Sequence, residues 1–353
     1  MISIESLSSQ WIDKVAAVYG YRDKALLEKA IRALLLVESL VREGCPMIFK
    51  GGSCLLLLLK DSLHRLSIDV DIICPPGTDI GKYLERIPMY GFTRVVQSGS
   101  ASSRQNLPIS HSKVFFDVEY KTSIGEAYIK LDVLYEDCPY SNVVQIPVEH
   151  RFIRSDGAPV LVNVPSVEDM LGDKITAFGP ESIGIPYFKK ERDCSLEIMK
   201  QLFDIGRLFE NVSDFSAVYW SFLKVSEIEL GYRGMSGQID RYYDDVRGSA
   251  MSISTRGRLG NGKFKAFQSG IIRLKPFMYQ RSYLIQDAVI DAARAAYLVT
   301  CFQTGRVKVE KYESSAGLPD ELTIVKALPA SLSRLKASSP EAFFYWAKTD
   351  EIL

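Results

Sequence analysis

The 353-residue sequence has no excess of charge: Lys plus Arg and Asp plus Glu both number 43. That balance excludes a surface built as a whole to bind nucleic acid and leaves any such contact to a local patch. The six cysteines, Cys45, Cys54, Cys74, Cys138, Cys194 and Cys301, form no C-x-x-C pair. Their scatter argues against a disulfide framework or a cysteine zinc site and for reduced thiols. Three histidines, His64, His111 and His150, are too dispersed for a histidine-rich metal centre. The most apolar run, Cys54 to Leu59, falls far short of the ~20 residues that a membrane span needs. The opening Met-Ile-Ser-Ile-Glu-Ser lacks the layout of a signal peptide. These absences lead to the expectation of a soluble, cytoplasmic chain with no membrane partner. What is present is ordinary for a globular protein, 47% apolar and 24% charged, and the length suffices for two domains.

The pattern divides accordingly. Asp23 can cap a helix to about Glu43, with Leu26, Ala30, Leu34, Val37 and Val41 on one stripe and Gly44 and Pro46 to stop it. A short strand at 47–50, a buried helix at 53–62, a strand at 67–73, a helix near 79–87 and a strand at 92–97 follow. Val114 to Tyr120 and Tyr128 to Tyr135 read as an antiparallel pair joined through 123–125, after a loop of small polar residues at 98–103. From Ser166 the pattern turns helical, with helices near 166–178, 191–210, 214–230 and 282–304. The Gly- and Arg/Lys-rich stretch 247–275 reads as an irregular loop. The expected fold is α+β: an α/β domain with a mixed or antiparallel sheet over 1–163, then a mostly helical domain over 164–353.

Chemistry concentrates early. Asp69 and Asp71 alternate with Ile68, Val70 and Ile72, which is the period of a half-buried strand. On such a strand both carboxylates share a face, roughly 7 Å apart, and can hold one or two hard divalent cations. Lys50-Gly51-Gly52-Ser53 precedes them, a glycine turn and a serine able to present N–H groups and a hydroxyl to a phosphate. Asp132 adds a third carboxylate on a later strand. A lone D-x-D also describes a solvated strand edge; the glycine turn and the third carboxylate favour a metal-dependent nucleotide site. Nucleotidyl transfer is mostly positioning and charge neutralisation, which metal-holding carboxylates serve. Asp132 would act on the attacking side, as ligand or as base. Asp117 and Glu119 read as a solvated face. Gly257 to Lys263 lacks the G-K-S/T ending of a P-loop; with Arg256, Arg258, Lys263, Lys265, Arg273 and Lys275 it reads as a surface loop whose cations could touch RNA phosphates.

The spaced set Lys50-Gly-Gly-Ser53, Arg65-Leu-Ser67-Ile-Asp69-Val-Asp71, Lys130-Leu-Asp132-Val133, Asp173-Lys174 and Lys200-Gln-Leu-Phe-Asp204-Ile205 resembles the signature of AbiEii-type nucleotidyltransferases. These are the toxin components of bacterial AbiE and MenAT toxin–antitoxin systems, in the polymerase-β-like nucleotidyltransferase superfamily. Leu66 replaces a usual Phe, Gln201 stands where Asp is usual, and the resemblance covers about residues 20–210. It implies an NTP-dependent transferase with Mg²⁺ or Mn²⁺ on Asp69, Asp71 and Asp132. Gly52 and Ser53 would bind nucleotide, with Lys50 and Arg65 as secondary phosphate contacts. Lys174 would neutralise the triphosphate from the helical domain and Asp204 would orient it, both in a cleft between the domains. Ser67 could be phosphorylated by a cognate antitoxin, placing about two negative charges beside Asp69. The resemblance favours a tRNA 3′ end as acceptor, with blocked translation, growth arrest or phage defence as the outcome. A protein side chain or a small molecule as acceptor stays open, as does a non-catalytic interaction protein that retains the fold.

Overall fold

The computed structural model describes residues 1–98, 108–120, 126–319 and 321–353. The connections expected at 98–103 and 123–125 fall, beyond Ser98, outside the described residues. The chain divides into two compact units, 1–166 with 276–282, and 167–275 with 283–353. Thus 276–282, assigned from sequence to the helical domain, belongs to the first unit: the Leu66 N–H donates to the Phe277 carbonyl at 2.8 Å.

In the first unit, helices α1 (Ser9–Tyr19) and α2 (Lys24–Arg42) precede β1 (Ile48–Lys50) and α3 (Gly51–Leu59). Asp23 caps α2 as the sequence suggests, its carboxylate accepting the Leu26 N–H at 3.0 Å. Leu27, Ile31, Leu34 and Val37 are wholly buried on α2. Four of the five consecutive leucines of α3, Leu55, Leu56, Leu57 and Leu59, are buried too, so this helix is a core element. Then come β2 (Val70–Cys74), a single turn α4 (Gly81–Leu84), β3 (Arg94–Ser98), β4 (Ile109–Phe115) and β5 (Tyr128–Tyr135). A separate antiparallel pair, β6 (Val143–Pro147) with β7 (Leu161–Pro165), completes the unit.

The main sheet has the order β1-β2-β5-β4-β3. Only β2 and β5 run parallel; the other pairs are antiparallel, so the sheet is mixed. Val70, Ile72, Leu131 and Val133 are buried on one face, and the alternate residues of these strands form the other. Two boundaries differ from the sequence reading in a way that matters. Strand β2 begins at Val70, leaving Ser67 to Asp69 irregular, because Arg65 and Leu66 bond instead to the 277–278 segment. Strand β4 ends at Phe115, so Asp117 and Glu119 are not strand residues.

The second unit contains α5 (Val167–Thr176), a tight β8 (Phe188–Lys189) and β9 (Arg192–Asp193) hairpin, α6 (Ser195–Asn211) and α7 (Phe215–Tyr232). Helices α8 (Ile239–Ser254), α9 (Phe264–Leu274), α10 (Ile285–Gln303), the short α11 (Leu335–Ser338) and α12 (Pro340–Ile352) follow. Helices α8 and α9 correct the loop expected at 247–275. Their Gly, Ser, Asp and aromatic content lowers intrinsic helix propensity, but packing overrides it. Tyr242, Val246, Ala250 and Ile253 are buried along α8, and Phe267 and Leu274 along α9. Gly270 lets α9 lie directly on α6, since a Cβ there would strike the Ser195 carbonyl. Among the described residues no helix is long and apolar enough to cross a membrane.

Asp350 on α12 fastens the preceding segment. Its carboxylate accepts the N–H groups of Val325 and Leu328 at 2.7 Å and of Lys326 and Ala327 at 2.8 Å. Burial would raise the Asp350 pKa, but the four backbone bonds outweigh it and hold the carboxyl below its usual range. The contribution of a depressed carboxyl is full above the unfolded-chain value of about 3.9 and is lost as pH falls through the folded value. Asp350→Asn should therefore lower unfolding stability near neutral pH by about 2–3 kcal/mol. In urea melts the difference from wild type should shrink below about pH 4.

Candidate active site

The site is a row across the main sheet. Lys50 on β1 pairs with Asp71 on β2, Asp71 with Asp132 on β5, and Asp132 with His111 on β4. Residues in register across a sheet share its face, so a cation, two carboxylates and an imidazole stand side by side. Lys50 also lies over the Tyr140 ring at 5.8 Å. Asp69, exposed, stands at the residue before β2 begins.

Asp132 is held on both oxygens. His111 Nδ1 lies 2.7 Å from its Oδ1, and the Lys130 ammonium bonds Oδ2. Burial opposes the Lys130 charge, but Asp132, then Asp71 and Asp69, outweigh it and raise its pKa. One ammonium is thus in the field of all three expected carboxylates. Sequence reasoning missed both Lys130 and His111. Lys130 was visible in principle, two residues before Asp132 and so on its face; His111 required the β4–β5 register.

The Gly-Gly turn is shaped by these side chains. Gly51 has φ +78°, which favours glycine, and a Cβ on it would collide with the Asp71 carboxylate. A Cβ on Gly52 would come within 2.7 Å of Ser67 Oγ and 2.8 Å of an Arg65 guanidinium nitrogen. Gly51 and Gly52 open α3, whose N-terminus has no side-chain cap. N–H groups at such an end suit a phosphate. Ser53 is fully buried and its hydroxyl donates to the Asp69 carbonyl at 2.5 Å. That bond fixes the approach to β2. Arg65 is 1% exposed and bonds the Leu66 carbonyl at 3.0 Å, and Ser67 is 8% exposed. Both brace the turn from beneath.

The carboxylates fit a hard divalent cation by donor type and by register, and the space at Gly51 that a Cβ would fill keeps Asp71 against the turn. Among the described residues no three acidic, histidine or cysteine side chains already converge on one metal position. Asp132 is engaged by Lys130 and His111 instead.

In the second unit Lys174 on α5 lies 3.2 Å from Asp204 and donates to Gln201 Oε1 at 3.1 Å, both on α6. Asp204 is completely buried and Lys174 is 8% exposed. Gln201, which departs from the family pattern, supplies a neutral acceptor in place of a carboxylate. Asp204 is therefore a buried partner of Lys174, not a surface residue of α6.

A family model described as nucleotidyl transferase AbiEii toxin, type IV TA system, matches residues 34–274. The chain belongs to the AbiEii nucleotidyltransferase toxin family. It is thereby a nucleotidyltransferase of the toxin–antitoxin class. No curated protein matches it in sequence. Among solved structures it is similar to MenT4, a nucleotidyltransferase toxin from Mycobacterium tuberculosis H37Rv, at 14% identity and TM-score 0.53, covering 95% of this chain and 98% of that one. It also aligns with JHP933 from Helicobacter pylori at 13% identity and TM-score 0.44, over 86% and 96% of the two chains. The likeness to MenT4 supports the α+β nucleotidyltransferase fold.

Two measurements test the geometry of this AbiEii-family chain. Gly51→Ala should displace the Asp71 carboxylate and cut nucleotidyl transfer by at least about 100-fold, the cost of roughly 1 Å of misplacement. Transfer near the wild-type rate by a folded Gly51→Ala protein would show that Asp71 need not sit there. Lys174→Ala removes a cation from a wholly buried carboxylate and should cost about 3 kcal/mol of stability, read by denaturant unfolding. Replacing both Lys174 and Asp204 by leucine should restore part of that loss.

Proposed function

We propose that the chain transfers a nucleoside monophosphate from an NTP to an acceptor hydroxyl in a Mg²⁺- or Mn²⁺-dependent reaction, with a tRNA 3′ end as acceptor. The observation that carries this reading is the aligned pair Asp71 and Asp132, with Asp69 beside it and the glycine turn in front. A divalent cation bound by Asp69, Asp71 and Asp132 would supply Lewis-acid neutralisation of the phosphoryl oxygens. The chain's own residues do the remaining work. The N–H groups opening α3 receive phosphate oxygens, while Lys50 and Lys130 add compact positive charge on the same sheet face. Ser53 anchors the Asp69 carbonyl, and Arg65 and Ser67 fill the space under Gly52. Asp132 serves the attacking side, where charge develops as the hydroxyl reacts. Lys174, oriented by Asp204 and Gln201, is assigned to the triphosphate charge.

The family resemblance is what favours a tRNA 3′ end as acceptor. A cytoplasmic location, where NTPs and RNA are at hand, follows from the same reading. A cognate antitoxin is the partner that membership of the family calls for. Ser67 as its target of phosphorylation would require the turn to open, because the hydroxyl is packed against Gly52.

Purified protein incubated with each labelled NTP, Mg²⁺ and total RNA should label tRNA-sized RNA, and EDTA should stop it. Asp69→Asn and Asp71→Asn should each reduce labelling by about 1,000-fold or more, the worth of several kcal/mol of charge stabilisation. Unchanged labelling by either folded variant would remove the carboxylates from the mechanism; labelled protein in place of RNA would reassign the acceptor. Asp132→Asn should lower kcat more than it weakens NTP binding.

A further inference from the structure

The second unit contains a cavity of about 430 Å³ between the end of α8, the start of α10 and the 331–339 segment. That is within the roughly 300–1,000 Å³ range of small-molecule sites. Its charged lining consists of Arg256, Arg258 and Arg334, and among the described residues no acidic side chain lines it. None of the three guanidiniums makes an ion pair among the described residues, although the chain as a whole is neutral. Three unpaired arginines around one hollow repel each other, an arrangement that a bound anion relieves.

The turn presenting two of them is built rather than loose. The Leu259 N–H donates to the Thr255 hydroxyl at 3.0 Å, and that hydroxyl donates to the Met251 carbonyl at 2.8 Å. Arg256 itself holds φ +55°, an uncommon conformation for a residue with a side chain. Gly260 packs directly on α8, where a Cβ would strike the Gly248 carbonyl. Ser339, also in the lining, is the residue before α12, and that helix's positive end adds to the attraction. The C-terminal end of α8 carries about half a negative charge, which three guanidiniums outweigh. The rest of the wall divides into an apolar side, Leu259, Val289, Leu332 and Leu335, and a polar edge with Gln286 and Ser338.

We propose that this cavity binds a nucleoside phosphate, either free or as the end of an RNA strand. The guanidiniums would take the phosphate through paired N–H bonds, and the leucine–valine wall would cover the base. Inorganic phosphate alone would leave most of the volume unfilled. All of these residues lie in the second unit, and binding there does not require the transfer chemistry proposed above.

The test is calorimetric titration of the full chain, in EDTA to silence metal-dependent binding, with the four nucleoside 5′-monophosphates, the matching nucleosides and a 5′-phosphorylated RNA trinucleotide. A monophosphate should bind, its nucleoside about tenfold or more weakly, and Arg256→Ala/Arg334→Ala should lose about tenfold or more. The arginine variant should keep the wild-type melting temperature, because both side chains are exposed, and Asp71→Asn should keep the wild-type affinity. Arginine-dependent binding of the trinucleotide alone would assign the cavity to a strand end. Failure of both ligands to bind, or an affinity indifferent to the arginine substitutions, would overturn the proposal.

Discussion

Everything at the candidate active site depends on β2 and β5 running parallel and in register, so that Asp71 and Asp132 stand opposite each other. Two carboxylates at strand spacing repel by roughly 3 kcal/mol at an effective dielectric near 20. The opposite face holds them there. Val70, Ile72, Leu131 and Val133 are at most 1% exposed, and each such side chain contributes roughly 1.5–3 kcal/mol on burial. The apolar face therefore wins comfortably, and the sheet can display like charges that a less buried pairing would push apart. Lys130 and His111 then relieve the repulsion from the side.

The glycine turn is the second half of the same constraint. Because Asp71 lies against Gly51 and Ser67 with Arg65 lie against Gly52, no larger residue fits either position without moving a side chain of the site. The buried Ser53 hydroxyl ties the turn back to the Asp69 carbonyl. Turn and carboxylates are thus one object, and a change at either moves the other.

The helical unit uses charge differently. Lys174 with Asp204, and Arg294 with Asp291, are ion pairs sunk among packed helices, and Glu210 and Glu341 meet Arg294 from more exposed positions. Each buried charge is costly unless paired, so these contacts specify which helices meet. Gly206 makes room for Asp291 in that packing, since a Cβ would overlap its carboxylate. The arginines around the cavity differ: they are exposed and make no ion pair among the described residues.

Local pattern determined a good deal here. The Asp23 cap and the stripe of α2 are read directly from residue order, as is the apolar run that becomes α3, because each depends on neighbours within a turn or two. The alternation through Asp69 to Ile72 and through Lys130 to Val133 places Asp69, Asp71 and Asp132 on the outer face by period alone, although β2 itself begins only at Val70. Tertiary structure decided what no local window holds. The register that sets His111 beside Asp132, and the 276–282 segment that draws Arg65 and Leu66 out of β2, come from pairings between distant residues. Helices α8 and α9 form from sequences with weak helical preference because burial of Tyr242, Val246 and Phe267 outweighs it. The fate of the Ser53 hydroxyl was likewise undetermined: a serine after two glycines can serve a ligand or a carbonyl, and only the fold brings the Asp69 carbonyl within its reach.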